Sequence, residues 1–124
     1  MDLSKYTGEL PDGEFTAKIT SVTAHKAQKD DSDYLRFQGD IPELELTNKI
    51  LFNASLKPGV LARLKDNLEA AEALREGDQY GDSAEELASD IQTDLSDRYV
   101  RIQVKPGKNG YKDVKIVGLD TSAV

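Results

Sequence analysis

The sequence predicts a mostly β domain with five strands and one or two helices, on three observations. Polar and apolar residues alternate with a period of two in five separate stretches, as they do in half-buried strands. Helical spacing of apolar residues is confined to the middle of the chain. The length of 124 residues suits one domain, which is expected over residues 1–124.

Three strands are predicted in the first half of the chain, at residues 13–24, 34–41 and 44–55. Alternation in the first two directs one set of apolar side chains to the core: Phe15, Ala17, Ile19, Leu35, Phe37 and Ile41. In the third strand we expect Ile50 and Phe52 to face the core. The side chains expected to point away from it are Lys49, Leu51 and Asn53.

A long and a short helix are predicted next. Pro58 suits a first helical turn, and apolar residues follow at helical spacing, so a helix is expected over residues 58–75. Two glycines interrupt the pattern at 76–82. Ser83 and Glu86 then form a capping box, which predicts a short second helix.

Two strands joined by a turn are predicted at the end of the chain. The period of two returns after residue 97, and the Asn-Gly pair at 109–110 is typical of a hairpin turn. The resulting order of elements is that of an OB-fold, a five-stranded Greek-key barrel with its helix between strands three and four. A small α+β domain with an open antiparallel sheet has the same order, so both are open at this point.

The charge of the chain is unevenly distributed. The formal net charge of −7 by itself disfavours a polyanionic partner. Residues 66–97 contain eleven acidic residues and one basic residue, Arg75, whereas the rest of the chain has 15 basic and 12 acidic residues. This asymmetry separates an acidic helix and loop segment from a region that is able to meet a polyanion.

Three interpretations of the acidic segment, residues 66–97, are open. It forms a solvated helix face and loop, it competes with a polyanion for the basic face, or it docks partner proteins. Because residues 77–82 have few apolar side chains, we expect residues 76–90 to be mobile and dispensable for folding.

The outward side of the predicted strands combines cations, amides and aromatic rings. Surfaces that bind single-stranded nucleic acid have this mixture, because cations follow the backbone and rings stack on bases. Ordinary solvated strand faces also contain these residue types. The final hairpin, residues 100–119, has only one acidic residue, Asp113. The candidate binding residues are Lys18, Tyr34, Arg36, Lys49, Tyr99, Arg101, Gln103, Lys105, Tyr111 and Lys115.

Short motifs in a fixed order resemble those of a known family. They are residues 11–19 (PDGEFTAKI), 34–37 (YLRF), 56–58 (LKP), 100–104 (VRIQV) and 109–114 (NGYKDV). Together they resemble short phage-encoded single-stranded-DNA-binding proteins of recombination and replication modules. The resemblance implies an OB-fold that binds single-stranded DNA without sequence preference, in the cytoplasm of a bacterial host. Phage recombination or replication proteins are further implied partners, and homo-oligomers are left open.

A second functional class is also open. The chain would then be a phage-encoded protein-interaction or inhibitor domain, in which the acidic segment is the working surface. Titration of a labelled oligo-dT at low salt separates the two classes.

No catalytic, metal or cofactor site is predicted. Cysteine is absent, which excludes thiolate chemistry and fits a reducing compartment. The single histidine, His25, is expected at an exposed loop edge. The acidic run at 30–33 lacks the glycine and distal glutamate of a calcium loop, and residues 107–110 lack the spacing of a phosphate loop. No apolar run approaches the roughly 18 residues of a membrane span, so no membrane partner is expected.

Overall fold

The described residues form five antiparallel strands and two α-helices. The computed structural model describes residues 10–77, 79–96, 98–107 and 112–120. The strands are β1 (Gly13–Lys26), β2 (Asp33–Ile41), β3 (Leu46–Ser55), β4 (Tyr99–Pro106) and β5 (Lys112–Leu119), and the helices are α1 (Leu61–Ala70) and α2 (Ala84–Leu95). The prediction of a mostly β domain with one or two helices is confirmed. Within these residues, no helix has both the length and the apolar character that crossing a bilayer requires.

One sheet contains the strands in the order β3-β2-β1-β4-β5. β1 pairs twice, through residues 13–18 with β4 and through residues 18–26 with β2. A bulge between Ile19 and Ser21 lies where the second pairing begins, and bulges increase the local bend and twist of a strand. The architecture is consistent with a barrel-like fold, but among the described residues the sheet is not closed, because β3 and β5 are its edges.

Helix α1 lies between the two edge strands and contacts both of them. Its buried residues are Leu64, Asn67 and Leu68. The Asn67 side chain accepts a hydrogen bond from the Ile116 amide at 2.7 Å and donates one to the Arg63 carbonyl at 2.8 Å. A buried amide at a sheet edge needs an acceptor, and the helix supplies it here in place of a sixth strand.

Helix α2 packs against β1 and completes the core. Ser83 caps its first turn by accepting a hydrogen bond from the Glu86 amide at 3.1 Å, as predicted. Ala88, Ile91 and Leu95 are buried at helical spacing. The structure argues against the expectation that residues 76–90 are dispensable for folding, because that range includes the first half of a helix whose Ala88 is buried in the core.

The first predicted helix ends earlier than its sequence pattern indicates. A 3-10 turn, Pro58–Val60, precedes α1, which ends at Ala70. Glu72 adopts a left-handed conformation with φ of 54°, and the Ala73 amide donates to the Leu68 carbonyl at 2.9 Å. This is the hydrogen-bond pattern of a Schellman C-cap. Ala73 is buried although it belongs to the turn that follows the helix. The spacing of apolar residues therefore could not show that the helix ends at Ala70.

The facing of β3 differs from the prediction around Leu51. Phe37 lies opposite Phe52 and Gln38 lies opposite Ile50, so Leu51 is an extra residue in the ladder. This bulge turns Leu51 into the core, where it is 4% exposed, and leaves Ile50 44% exposed on the outer side. Phe52 packs on Phe37 with ring centroids 4.5 Å apart, in agreement with its expected inward position.

Gly39 marks a close approach between β1 and β2. A Cβ atom at this position would lie 2.4 Å from the Lys18 carbonyl oxygen and 3.1 Å from Cδ1 of Leu51. Because the first neighbour is backbone, only glycine fits here without moving a strand.

Candidate nucleic-acid interface

The outer side of β1, β2 and β3 forms a mostly polar surface, which we call the stacking face. It lies opposite the side on which Leu35 and Phe37 are buried. Cross-strand register arranges its nine residues in three rows, which are Ser55, Tyr34 and His25, then Asn53, Arg36 and Thr23, then Ile50, Gln38 and Ser21.

Tyr34 is the centre of a group of three planar side chains. The His25 ring lies 5.5 Å from the Tyr34 ring, with 21° between their planes. The Arg36 guanidinium carbon lies 5.9 Å from the centroid of the Tyr34 ring, and Nη2 donates to Tyr34 Oη at 3.3 Å. His25 Nε2 also shares a hydrogen bond of 2.8 Å with the Thr23 hydroxyl. The three planes are thus held by neighbouring strand residues before any ligand arrives.

Neutral groups position Arg36. Besides its contact with Tyr34, its Nε donates to Asn53 Oδ1 at 3.4 Å. Neither of these partners is an anion, so the guanidinium charge is available to a phosphate or to the face of a base. Gln38, in the next row, accepts a hydrogen bond from the Ser21 hydroxyl at 3.2 Å.

Carboxylates hold Arg101, one of the candidate binding residues of the hairpin. Its Nη1 donates to Thr16 Oγ1 at 2.9 Å and to Glu43 Oε1 at 3.3 Å, and lies 4.0 Å from Asp120 Oδ2. The Thr16 hydroxyl in turn donates to Asp120, and the Thr16 amide donates to Glu43 at 2.8 Å. Thr16 is 8% exposed. Arg101 therefore balances two acids in a partly buried network, and binding a phosphate would compete with that network.

Three other predicted residues of the hairpin, Gln103, Lys105 and Lys115, lie on β4 and β5, away from the Tyr34 group. Lys105 is opposite Asp113, and Lys115 is opposite Gln103. Asp113 also forms a 2.7 Å ion pair with Arg63 of α1. Nucleic-acid binding by these residues stays a prediction, but the residues do not form one site with Tyr34.

Lys18 and Tyr99 connect the two regions. Lys18 lies opposite Tyr99 of β4 and also opposite Asp40 of β2, because it is the residue at which β1 exchanges one partner strand for the other. Both side chains are half-buried.

Two further candidate binding residues, Lys49 and Tyr111, are not among the residues of the stacking face. Lys49 lies opposite Gly39, which belongs to the buried row of β2, so the bulge at Leu51 removes Lys49 from the outward row in which it was expected. Tyr111 and the turn at 108–110 lie outside the described residues.

Several exposed cations near the sheet are paired with acids. The pairs are Lys26 with Asp33, Lys57 with Asp30, and Lys112 with Asp12. The hydrogen bond to Asp33 raises the pKa of Lys26 above its ordinary value. The hydrogen bond from Lys57, together with those from Ser32, holds the pKa of the Asp30 carboxyl well below its usual range. The acidic run at 30–33 thus neutralises the lysines beside it.

Arg75, the one base of the acidic segment, ties the turn after α1 to α2. Its Nε and Nη2 donate to the two carboxylate oxygens of Asp94 at 2.8 and 3.0 Å, and its Nη1 lies 3.6 Å from Asp90. The guanidinium also lies over the Tyr80 ring at 5.4 Å. The hydrogen bonds to Asp94 raise the pKa of Arg75. Two of the acids that suggested a solvated or docking surface therefore have partners within the fold.

A groove of about 1130 Å³ separates β3 from β5 beside α1. Its lining includes Val60 of the 3-10 turn, Arg63 and Asp66 of α1, and Lys112 of β5. Strand edges, apolar groups and charges of both signs are mixed there, so the lining does not select one class of ligand. Within the described residues, no cluster of three or more histidine or acidic side chains could hold a metal ion.

Sequence reasoning missed His25 as a member of the site. It was assigned to a loop edge, whereas β1 continues to Lys26 and places His25 on the outer side beside Tyr34. The signal was incomplete: Ser21, Thr23 and His25 alternate with Val22 and Ala24, but they have the parity of the inward residues Phe15, Ala17 and Ile19. The bulge between Ile19 and Ser21 is what turns them to the outer side.

Comparisons with known proteins add no relative to this geometry: no protein-family model matches the chain, and no curated protein is significantly similar to it.

Proposed function

We propose that this protein binds single-stranded DNA without sequence preference on its stacking face, as an OB-fold protein of phage replication or recombination. The observation that supports this function most is the group formed by His25, Tyr34 and Arg36 on the outer side of the strands. Rings and guanidinium planes accept any base, because every base has a π-face.

The sheet topology supports the OB-fold part of the proposal. A first strand shared between β2 and β4, a strand order of β3-β2-β1-β4-β5 and helices between β3 and β4 suit a partly open five-stranded Greek-key barrel. OB-folds bind oligonucleotides on the face of strands two and three. The Tyr34 and Arg36 rows lie on the corresponding strands of this protein.

The test is a titration of fluorescein-labelled oligo-dT at low salt, followed by anisotropy. Base stacking on one aromatic ring contributes about 1–3 kcal/mol, so Tyr34→Leu is expected to weaken binding by about 5-fold to 150-fold. Tyr99→Leu is the matched control, because it removes the same ring from the region outside the stacking face and is expected to weaken binding less.

Two results would contradict the proposal. Absence of binding by the parent protein would favour the protein-interaction class that was left open by the sequence. Binding that is unaffected by Tyr34→Leu would move the site away from the stacking face.

A further inference from the structure

We infer that the stacking face binds the bases of a single strand and only about one of its phosphates, so that affinity depends weakly on salt. This inference rests on the proposed function and specifies which chemical part of the strand is recognised.

The charges of the face support a contact with few phosphates. Among its nine residues, all of them described, Arg36 is the one lysine or arginine, and none is acidic. Its two partners on the face, Tyr34 and Asn53, are uncharged. A backbone track would need a series of such cations.

Three of the cations around the face are already engaged. Lys26 and Lys57, at the end of the face near Tyr34, are paired with Asp33 and Asp30. At the opposite end, Arg101 is held by two further acids, Glu43 and Asp120. Each would have to exchange a carboxylate for a phosphate, and the negative charge of that carboxylate offsets part of the attraction between the cation and the strand. These lysines and this arginine therefore add few phosphate contacts to the one that Arg36 provides.

The other side chains of the face suit bases. His25 and Tyr34 provide ring faces, Asn53 and Gln38 provide amides that can donate to or accept from base edges, and Ile50 provides an exposed apolar contact. In a duplex the bases are stacked and paired, so their faces are not accessible to such a surface. The face should therefore discriminate against double-stranded DNA even where the phosphate charge is the same.

The salt dependence follows from the number of phosphates. Single-strand binding changes log affinity by about −0.7 per phosphate for each unit of log salt. One phosphate at Arg36 predicts a slope of about −0.7, whereas a strand that follows three or more cations would give about −2 or steeper.

The experiment compares two labelled oligomers of equal length and phosphate number, oligo-dT and an abasic deoxyribose-phosphate strand, over a range of salt concentrations. The abasic strand is expected to bind at least about 30-fold more weakly, because it offers nothing for two rings to stack on. Arg36→Gln is expected to remove most of the slope of log affinity against log salt that oligo-dT shows with the parent protein. Lys65→Gln, which removes an exposed cation of α1 that is not among the candidate binding residues, should leave the slope unchanged.

The outcomes separate this inference from the proposed function. Equal binding of the two strands, or a slope of about −2 or steeper, would overturn the inference while leaving single-strand binding in place. Failure of both strands to bind would overturn the proposed function and the inference together.

Discussion

Replacing Arg101 with glutamine is expected to lower the stability of the fold more than the affinity for a single strand. Arg101 donates to Thr16 and Glu43 and lies within ion-pair distance of Asp120. Glutamine retains one polar group near Thr16 but removes the positive charge between the two carboxylates. The fold then keeps two acids side by side without a cation to balance them.

The expected loss of stability follows from the exposure of the Arg101 side chain. Hydrogen bonds to a charged group contribute about 1.5–3 kcal/mol when buried, whereas exposed ion pairs contribute about 0–1 kcal/mol. The Arg101 side chain is 34% exposed, so a loss between these limits, about 1–2 kcal/mol, is expected. For a chain of this size the melting temperature should fall by about 4–8 °C.

The assay pairs urea unfolding with the oligo-dT titration on the same preparations. Lys115→Gln is the control for removing a hairpin charge and should change stability by less than about 0.5 kcal/mol. A double-mutant cycle with Glu43→Gln should give a coupling energy of at least about 0.5 kcal/mol. The reasoning is refuted if Arg101→Gln keeps the parent's stability and loses as much affinity as Arg36→Gln.

Three further predictions concern the fold that supports the stacking face. Asn67→Leu removes the acceptor of the buried Ile116 amide and should cost about 1–3 kcal/mol in urea unfolding; stability equal to the parent's would show that this side chain is not needed at the sheet edge. Gly39→Ala places a methyl group against backbone and should destabilise the protein by about 1–3 kcal/mol. The control is Gly118→Ala, which should be nearly neutral because a Cβ atom there meets open space. Equal effects of the two changes on stability would contradict the close approach of β1 and β2. Replacing residues 76–90 with a Gly-Ser linker should abolish cooperative thermal unfolding monitored by circular dichroism, and a cooperative transition near the parent's would show that α2 is not part of the core.

Local alternation was sufficient where each strand has one apolar and one polar side. The β2 pattern located its strand and its buried residues for this reason, and the β1 pattern did so as far as the bulge between Ile19 and Ser21, after which Val22 is buried instead. In β3, Ile50, Leu51 and Phe52 are all apolar, so the sequence fits either facing, and only the pairing with β2 shows that Leu51 is the extra residue. For the same reason, the side of the sheet on which Lys49 lies was predicted wrongly.

The partners of the hairpin cations could not be predicted from local sequence. Residues 100–119 contain one acidic residue, which suggested a basic surface. Two of the acids that hold Arg101 and Lys112 come from distant parts of the chain: Glu43 is 58 residues from Arg101, and Asp12 is 100 residues from Lys112. Counting charges within an element overestimates its positive surface when other elements supply the counter-charges. The stacking face was partly predictable because its residues follow strand alternation.

The central claim is that a single strand binds on the stacking face, and amide chemical-shift mapping tests it most directly. Oligo-dT is added to ¹⁵N-labelled protein, and the shift of each assigned resonance is followed to saturation. The account predicts that the largest shifts occur at His25, Tyr34, Arg36 and Asn53, with small shifts in α2. Shifts concentrated instead on Arg101, Lys105 and Lys115, or on α2, would contradict it.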